Sequence, residues 1–143
     1  MDRAILRRKP NERSSARNSI RNSCAAGELV AIEAARDLML ATPGYGLSID
    51  AIAVSVHMSK RHFLRLFKRV TGTTPHSWRM EKRVRGSMVD LRNGDLSLTQ
   101  IAHQYGFADH AHYTRVFKRI VGTPPSVWRV TAVSDSTDKF EKL

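Results

Sequence analysis

Apolar positions along this chain recur at the three-to-four-residue spacing of a helix, and turn residues cut them into segments. No stretch alternates apolar and polar residues with a period of two, so the pattern predicts an all-α fold. In residues 28–42 the apolar positions are Leu29, Val30, Ile32, Ala35, Leu38 and Met39, and Pro43-Gly44-Tyr45-Gly46 ends that helix. Ser48 then reads as the N-cap of a short helix over 49–56, whose Ile49, Ile52, Ala53 and Val56 make one face. His57-Met58 is a tight connection, and Ser59 caps a helix from Lys60 to about Thr71. Gly72 suits a left-handed C-terminal cap. Thr74 and Pro75 open the next helix, with proline at the first position, where a missing N–H costs nothing. That helix is predicted to run to about Arg92 and to be the longest, before the turn Asn93-Gly94-Asp95.

The pattern then starts again. Ser97 caps a helix from Leu98 to Tyr105, with Ile101 and Ala102 standing where Ile52 and Ala53 stood. Gly106-Phe107-Ala108 turns, Asp109 caps a helix from His110 to about Val121, Gly122 ends it, and Pro124-Pro125 opens a last short helix containing Trp128. Aligning Phe63 with Tyr113 makes Arg65/Arg115, Phe67/Phe117, Lys68/Lys118, Arg69/Arg119, Gly72/Gly122, Thr73/Thr123, Pro75/Pro125, Trp78/Trp128 and Arg79/Arg129 identical at an offset of 50 residues. One unit is used twice.

Each unit reads as a helix-turn-helix: a short helix, a tight turn, an amphipathic helix. On a wheel, Phe63, Leu66, Phe67 and Val70 point inward in the first, and Tyr113, Val116, Phe117 and Ile120 in the second. The six large aromatics Phe63, Phe67, Tyr113, Phe117, Trp78 and Trp128 are read as core, since base-stacking platforms need exposed rings. Arg61, Leu64, Arg65 and Lys68, and Ala111, Thr114, Arg115 and Lys118, point outward.

Composition gives the outward faces a chemistry. The 143 residues carry 24 Lys+Arg against 13 Asp+Glu, a net charge of +11. That balance favours a polyanionic partner, and its bias is present in the repeats as well as in the first 27 residues. A basic amphipathic helix suits a DNA major groove. Residues near its N-terminus reach base edges: Lys60, Arg61, Leu64 and Arg65 in the first unit, His110, Ala111, Thr114 and Arg115 in the second. Arginine pairs bidentately with guanine, and Leu64, Ala111 and the Thr114 methyl suit thymine methyls. Ser59, Lys68, Arg69, Lys118 and Arg119 are candidate phosphate contacts, with plain solubility as the competing reading of the last two. Arg83 and Arg85 read as surface or ion-pair residues.

Residues 1–27 hold seven Arg/Lys and two Asp/Glu without long apolar periodicity, and are expected to be a mostly disordered basic arm or a linker. Residues 132–143 are expected to be a polar, frayed tail. No apolar run approaches the ~18 residues of a membrane span, no apolar signal region opens the chain, and the single Cys24 cannot form an internal disulfide. A cytoplasmic protein, associated with the nucleoid, is expected. No metal site is expected: His110 and His112 are two residues apart, which puts their rings on different sides of a helix. No cofactor loop, nucleophile elbow or carboxylate pair is visible, so no catalytic residues are assigned and an enzyme is not expected.

At these residues the sequence resembles the DNA-binding domain of the AraC/XylS family of bacterial transcription regulators. IAHQYGFADHAHYTRVFKRIVGTPPSVWR in the second unit and AVSVHMSKRHFLRLFKRVTGTTP in the first carry the resemblance, over about 28–131. It implies seven helices, with two helix-turn-helix units (about 28–73 and 97–131) joined by one long helix (about 75–92). It also implies recognition helices in successive major grooves on one face of double-stranded DNA, with base contacts falling on Arg61, Leu64, Arg65, His110, Ala111, Thr114 and Arg115. His57 stands where the family usually has glycine, and Leu64 and Ala111 are apolar where polar readers are common. The family's upstream sensing domain does not fit in 27 residues, so a stand-alone member and a portion of a longer regulator are both open, and small-molecule control is not expected from this stretch. The leading expectation is a sequence-specific regulator, an activator touching RNA polymerase, monomeric through this domain. The alternative is a non-specific basic nucleic-acid-binding or architectural protein.

Overall fold

The computed structural model of the chain describes residues 11–41 and 46–138, the side chains of 11–14 and 135–138 excepted. Seven helices follow one another: α1 (Asn11–Ala41), α2 (Ile49–Ser55), α3 (Lys60–Thr71), α4 (Pro75–Asn93), α5 (Leu98–Gln104), α6 (His110–Val121) and α7 (Pro125–Asp138). No strand occurs among the described residues. The predicted caps account for the boundaries. Ser48, Ser59, Thr74, Ser97 and Asp109 each accept a backbone N–H from the third residue on. Gly72, Gly94 and Gly122 close α3, α4 and α6 in the left-handed region, at φ 80°, 79° and 96°. Substitution of such a polar N-cap by Ala costs about 1 kcal/mol, so five caps make a substantial part of what delimits these elements.

Two cores form, one per repeat. In the first, Ile32, Ala35 and Met39 of α1 meet Ile52 and Ala53 of α2, Phe63, Leu66 and Phe67 of α3, and Trp78. In the second, Val84 and Leu91 of α4 meet Ile101 and Ala102 of α5 and Tyr113, Val116 and Phe117 of α6. Helix α4 serves both. Its first turn, with Pro75 and Trp78, closes the first core, and from Met80 onward it is a wall of the second. The aromatic chain Phe63–Phe67–Trp78 runs at centroid distances of 5.6 and 5.9 Å, and Tyr113–Phe117–Trp128 at 5.6 and 6.1 Å. The repeat in sequence is a repeat in packing.

The structure differs from the sequence expectations at several places. Residues 11–27, expected to be disordered, belong to α1, which at 31 residues is longer than the 19-residue α4. No proline interrupts residues 11–41 and Gly27 is the one glycine, so nothing in the backbone chemistry stops the helix. Its described side chains from 15 to 27 are all exposed, which is why no apolar periodicity announced it. Leu29 and Val30, counted on the apolar face, are 52% and 69% exposed. Val70, placed inward, is exposed near the end of α3, while its counterpart Ile120 packs on the second core. Helix α7 continues to Asp138, through residues expected to fray. Phe107, expected only to turn, is fully buried, with its ring 5.0 Å from that of Tyr113. The breaker at Pro43-Gly44-Tyr45, the first ten residues and the last five lie outside the described residues.

Candidate nucleic-acid interface

The two turns between the paired helices are built alike. In the first, the N–H of His57 bonds the carbonyl of Val54 at 3.0 Å and that of Met58 bonds Ala53 at 2.9 Å. In the second, Gly106 bonds His103 at 3.2 Å and Phe107 bonds Ala102 at 2.9 Å. His57 has φ 56°, the one left-handed non-glycine position among the described residues, and Gly106 has φ 74°. The left-handed turn is therefore kept where the sequence departs from glycine. One extra residue, Ala108, then lengthens the second turn. Its N–H reaches His112 Nδ1 at 3.3 Å, and the His112 ring stands 5.5 Å from Phe107. His112 is thus a structural part of this turn.

Each turn delivers an amphipathic helix with its apolar side down. Phe63 and Phe67, and Tyr113 and Phe117, are fully buried. Lys60, Arg61, Leu64, Arg65, Lys68 and Arg69 are exposed on α3, and His110, Ala111, Arg115, Lys118 and Arg119 on α6. Neither helix contains an acidic residue. Lys68 and Arg69, and Lys118 and Arg119, fall in the last turns, where the helix dipole favours positive charge. Thr114 differs from expectation. It is half-buried, with its Oγ1 out of solvent and without a hydrogen-bond partner, because it sits at the edge of the packed side of α6.

Two of the cations have partners within the chain. Lys60 Nζ is 2.9 Å from Asp50, and Arg69 is 2.5 Å from Glu28 on α1. Ion pairs this accessible to solvent are worth about 0–1 kcal/mol, so neither carboxylate holds its cation strongly. Ser59 Oγ accepts the N–H of His62, which leaves its O–H to donate.

Other basic residues are tied to partners within the chain. Arg79 donates to the Leu47 carbonyl at 2.8 Å, and Arg129 donates to the Leu96 carbonyl at 2.7 Å and the Leu91 carbonyl at 3.1 Å. Leu47 precedes the cap of α2 and Leu96 the cap of α5, so the repeated arginine ties the end of each unit to its beginning. Arg83, expected on the surface or in an ion pair, is half-buried and donates to the Gly106 carbonyl at 3.0 Å, while Arg85 pairs with Glu81 at 2.9 Å. The identity of Arg79 and Arg129 signalled this tie, but identity alone did not separate a structural arginine from a reading one.

A family model described as a helix-turn-helix domain matches residues 52–131, more than half of the chain. The RCS-specific HTH-type transcriptional activator RclR of Escherichia coli (strain K12) is 30% identical over 73 residues, which is 51% of this chain and 26% of that protein. The chain thus matches about a quarter of that relative's length. A transcriptional regulator of the group with AraC-type DNA-binding domains, from Chromobacterium violaceum, is 30% identical in its crystal structure, with a TM-score of 0.69, covering 75% of this chain and 96% of its own. The DNA-binding domain of AdpA, crystallised with a target DNA, is 25% identical with a TM-score of 0.60, over 78% of this chain and 93% of its own.

Proposed function

The chain belongs to the AraC-type helix-turn-helix family, and on that premise we propose that it is a sequence-specific transcription regulator that lays α3 and α6 into successive major grooves of duplex DNA. The observation that carries this reading is the two-sidedness of those helices. Both bury their aromatics and hold cations outward with no acidic residue between them. Arg61, Leu64 and Arg65, and His110, Ala111 and Arg115, take the base edges, with Lys60 and the Thr114 methyl at their margins. Ser59, Lys68, Arg69, Lys118 and Arg119 take phosphates, which set register without reading sequence. Two units in one chain supply what two subunits supply elsewhere, so the domain acts as a monomer. The setting is the bacterial cytoplasm, at the nucleoid, and the output is activation through contact with RNA polymerase. Fold and family are those of binding proteins, and we assign no reaction to the chain.

A competition assay tests the reading. Fragments selected from a random DNA pool are bound by the protein, by a form lacking residues 1–27, and by Arg115→Ala, each against random duplex. Selectivity is expected to survive the deletion, since the described side chains of the removed stretch, those of residues 15–27, are all exposed. Arg115→Ala is expected to lose ~1–3 kcal/mol and to relax preference at one or two base pairs, whereas Lys118→Ala weakens all sequences alike. Collapse of binding on the deletion, with no sequence preference to lose, would favour the non-specific basic binder instead.

A further inference from the structure

A half-enclosed cavity of about 150 Å³ lies where the two units meet. It is lined by Met39 from α1, Trp78 from α4 and Tyr105 from the end of α5, and also by Arg79, Lys82 and Arg83 of α4. We propose that this cavity is a binding site for a small single-ring carboxylate, with the ring against Met39, Trp78 and Tyr105 and the carboxylate toward Arg79 and Lys82.

Size and charge both point to that ligand. An apolar cavity of about 150 Å³ accommodates one benzene ring. Arg79 and Lys82 are three residues apart on one helix, hence neighbours on its surface. Among the described residues, neither has a carboxylate within ion-pair distance. Arg79 is held instead by a neutral carbonyl, that of Leu47, and Lys82 Nζ lies over the Trp78 ring at 5.4 Å from its centroid. Burial lowers the affinity of the Arg79 guanidinium for its proton, and burial together with the nearby Arg79 charge does the same at Arg83. An anion beside them offsets both effects. None of the wall residues lies on α3 or α6, so the site uses none of the proposed DNA-contacting residues, although Trp78 packs on Phe67 of α3.

Titration with sodium benzoate, followed by the NMR signals of the Met39 methyl and the Trp78 indole, tests the proposal. Saturable shifts at both are expected, with a Kd on the order of 1 mM, the range open to a nine-atom ligand. Acetate, which has the charge without the ring, is expected not to saturate, and benzyl alcohol, which has the ring without the charge, to bind at least several-fold more weakly. Lys82→Glu, an exposed position, is expected to keep the fold and the free Met39 methyl signal, to move the free Trp78 indole signal because the cation over the ring is gone, and to weaken benzoate at least about tenfold. Absence of saturable shifts at Met39 and Trp78, equal binding of benzyl alcohol, or indifference to Lys82→Glu would each overturn the site.

Discussion

Arg129→Ala separates a structural arginine from a reading one, and its cost follows from the geometry. The side chain makes two charged hydrogen bonds, at 2.7 and 3.1 Å, to the carbonyls of Leu96 and Leu91. Hydrogen bonds to charged groups contribute about 1.5–3 kcal/mol each, and partial exposure puts these at the lower end, so the loss of two is about 3 kcal/mol. Arg79→Ala removes a single, exposed bond to the Leu47 carbonyl and is expected to cost about 1 kcal/mol. Arg129→Lys keeps the charge but cannot span both carbonyls, and is expected to recover less than half of the loss. Urea denaturation gives the three values, with unchanged slopes showing that the unfolded reference is the same. The two tryptophans divide the signal, since Trp78 belongs to the first core and Trp128 packs on the second. Arg129→Ala should therefore shift the Trp128 transition more than that of Trp78. Where the variant is still folded, its DNA affinity should be close to that of the parent. Normal stability with lost DNA binding would refute the tie and make Arg129 a contact residue.

Three further outcomes follow from buried or strained groups. Tyr113 Oη lies 2.9 Å from Ser87 Oγ in the second core, and Ser87 also bonds the Val84 carbonyl. Ser87→Ala strands the phenol and should cost about 1–3 kcal/mol, Tyr113→Phe about 0.5–1.5 kcal/mol, and the double variant less than their sum in urea denaturation; strict additivity would sink the pairing. His57→Gly is expected to change stability by less than about 1 kcal/mol, because relief of the left-handed backbone offsets the flexibility of glycine, whereas His57→Val should lose about 1–3 kcal/mol; equal melting of the two would show that the φ of 56° is not held. Tyr105 is pushed up to about 12 by burial and then by its hydrogen bond to Asp90. Between the ordinary phenol value and about 12 the folded state holds a proton that the unfolded state has lost, so this contribution to stability falls as pH rises through that window, and Tyr105→Phe should flatten the fall. Parallel pH profiles for the two proteins would contradict it.

Most of the architecture was legible in the sequence because the elements are short and each carries its own boundary chemistry. Ser59, Thr74, Ser97 and Asp109 sit one residue before their helices, and glycine follows α3, α4 and α6, so caps and apolar spacing agreed. The outward set of α3 was legible for the same reason: a strongly two-sided helix leaves little choice of face. What escaped were features that depend on neighbours distant in sequence. The exposure of Leu29, Val30 and Val70 reflects where other helices stop covering α1 and α3. Phe107 takes the turn position of Met58, which also packs on its core, and its ring stands 5.0 Å from that of Tyr113, a residue of the next helix. The roles of Arg79, Arg83 and Arg129 lie in carbonyls more than 20 residues away, and no local pattern distinguishes them from Arg65 or Arg115.

Cleavage protection on a selected duplex, read at single-nucleotide resolution on both strands, addresses the paired-helix account most directly. Two protected major-groove segments are expected on one face of the DNA, centred about one helical turn apart. Arg65→Ala should clear one segment and Arg115→Ala the other. A single protected segment, or protection spread evenly around the duplex and unmoved by either substitution, would contradict the account.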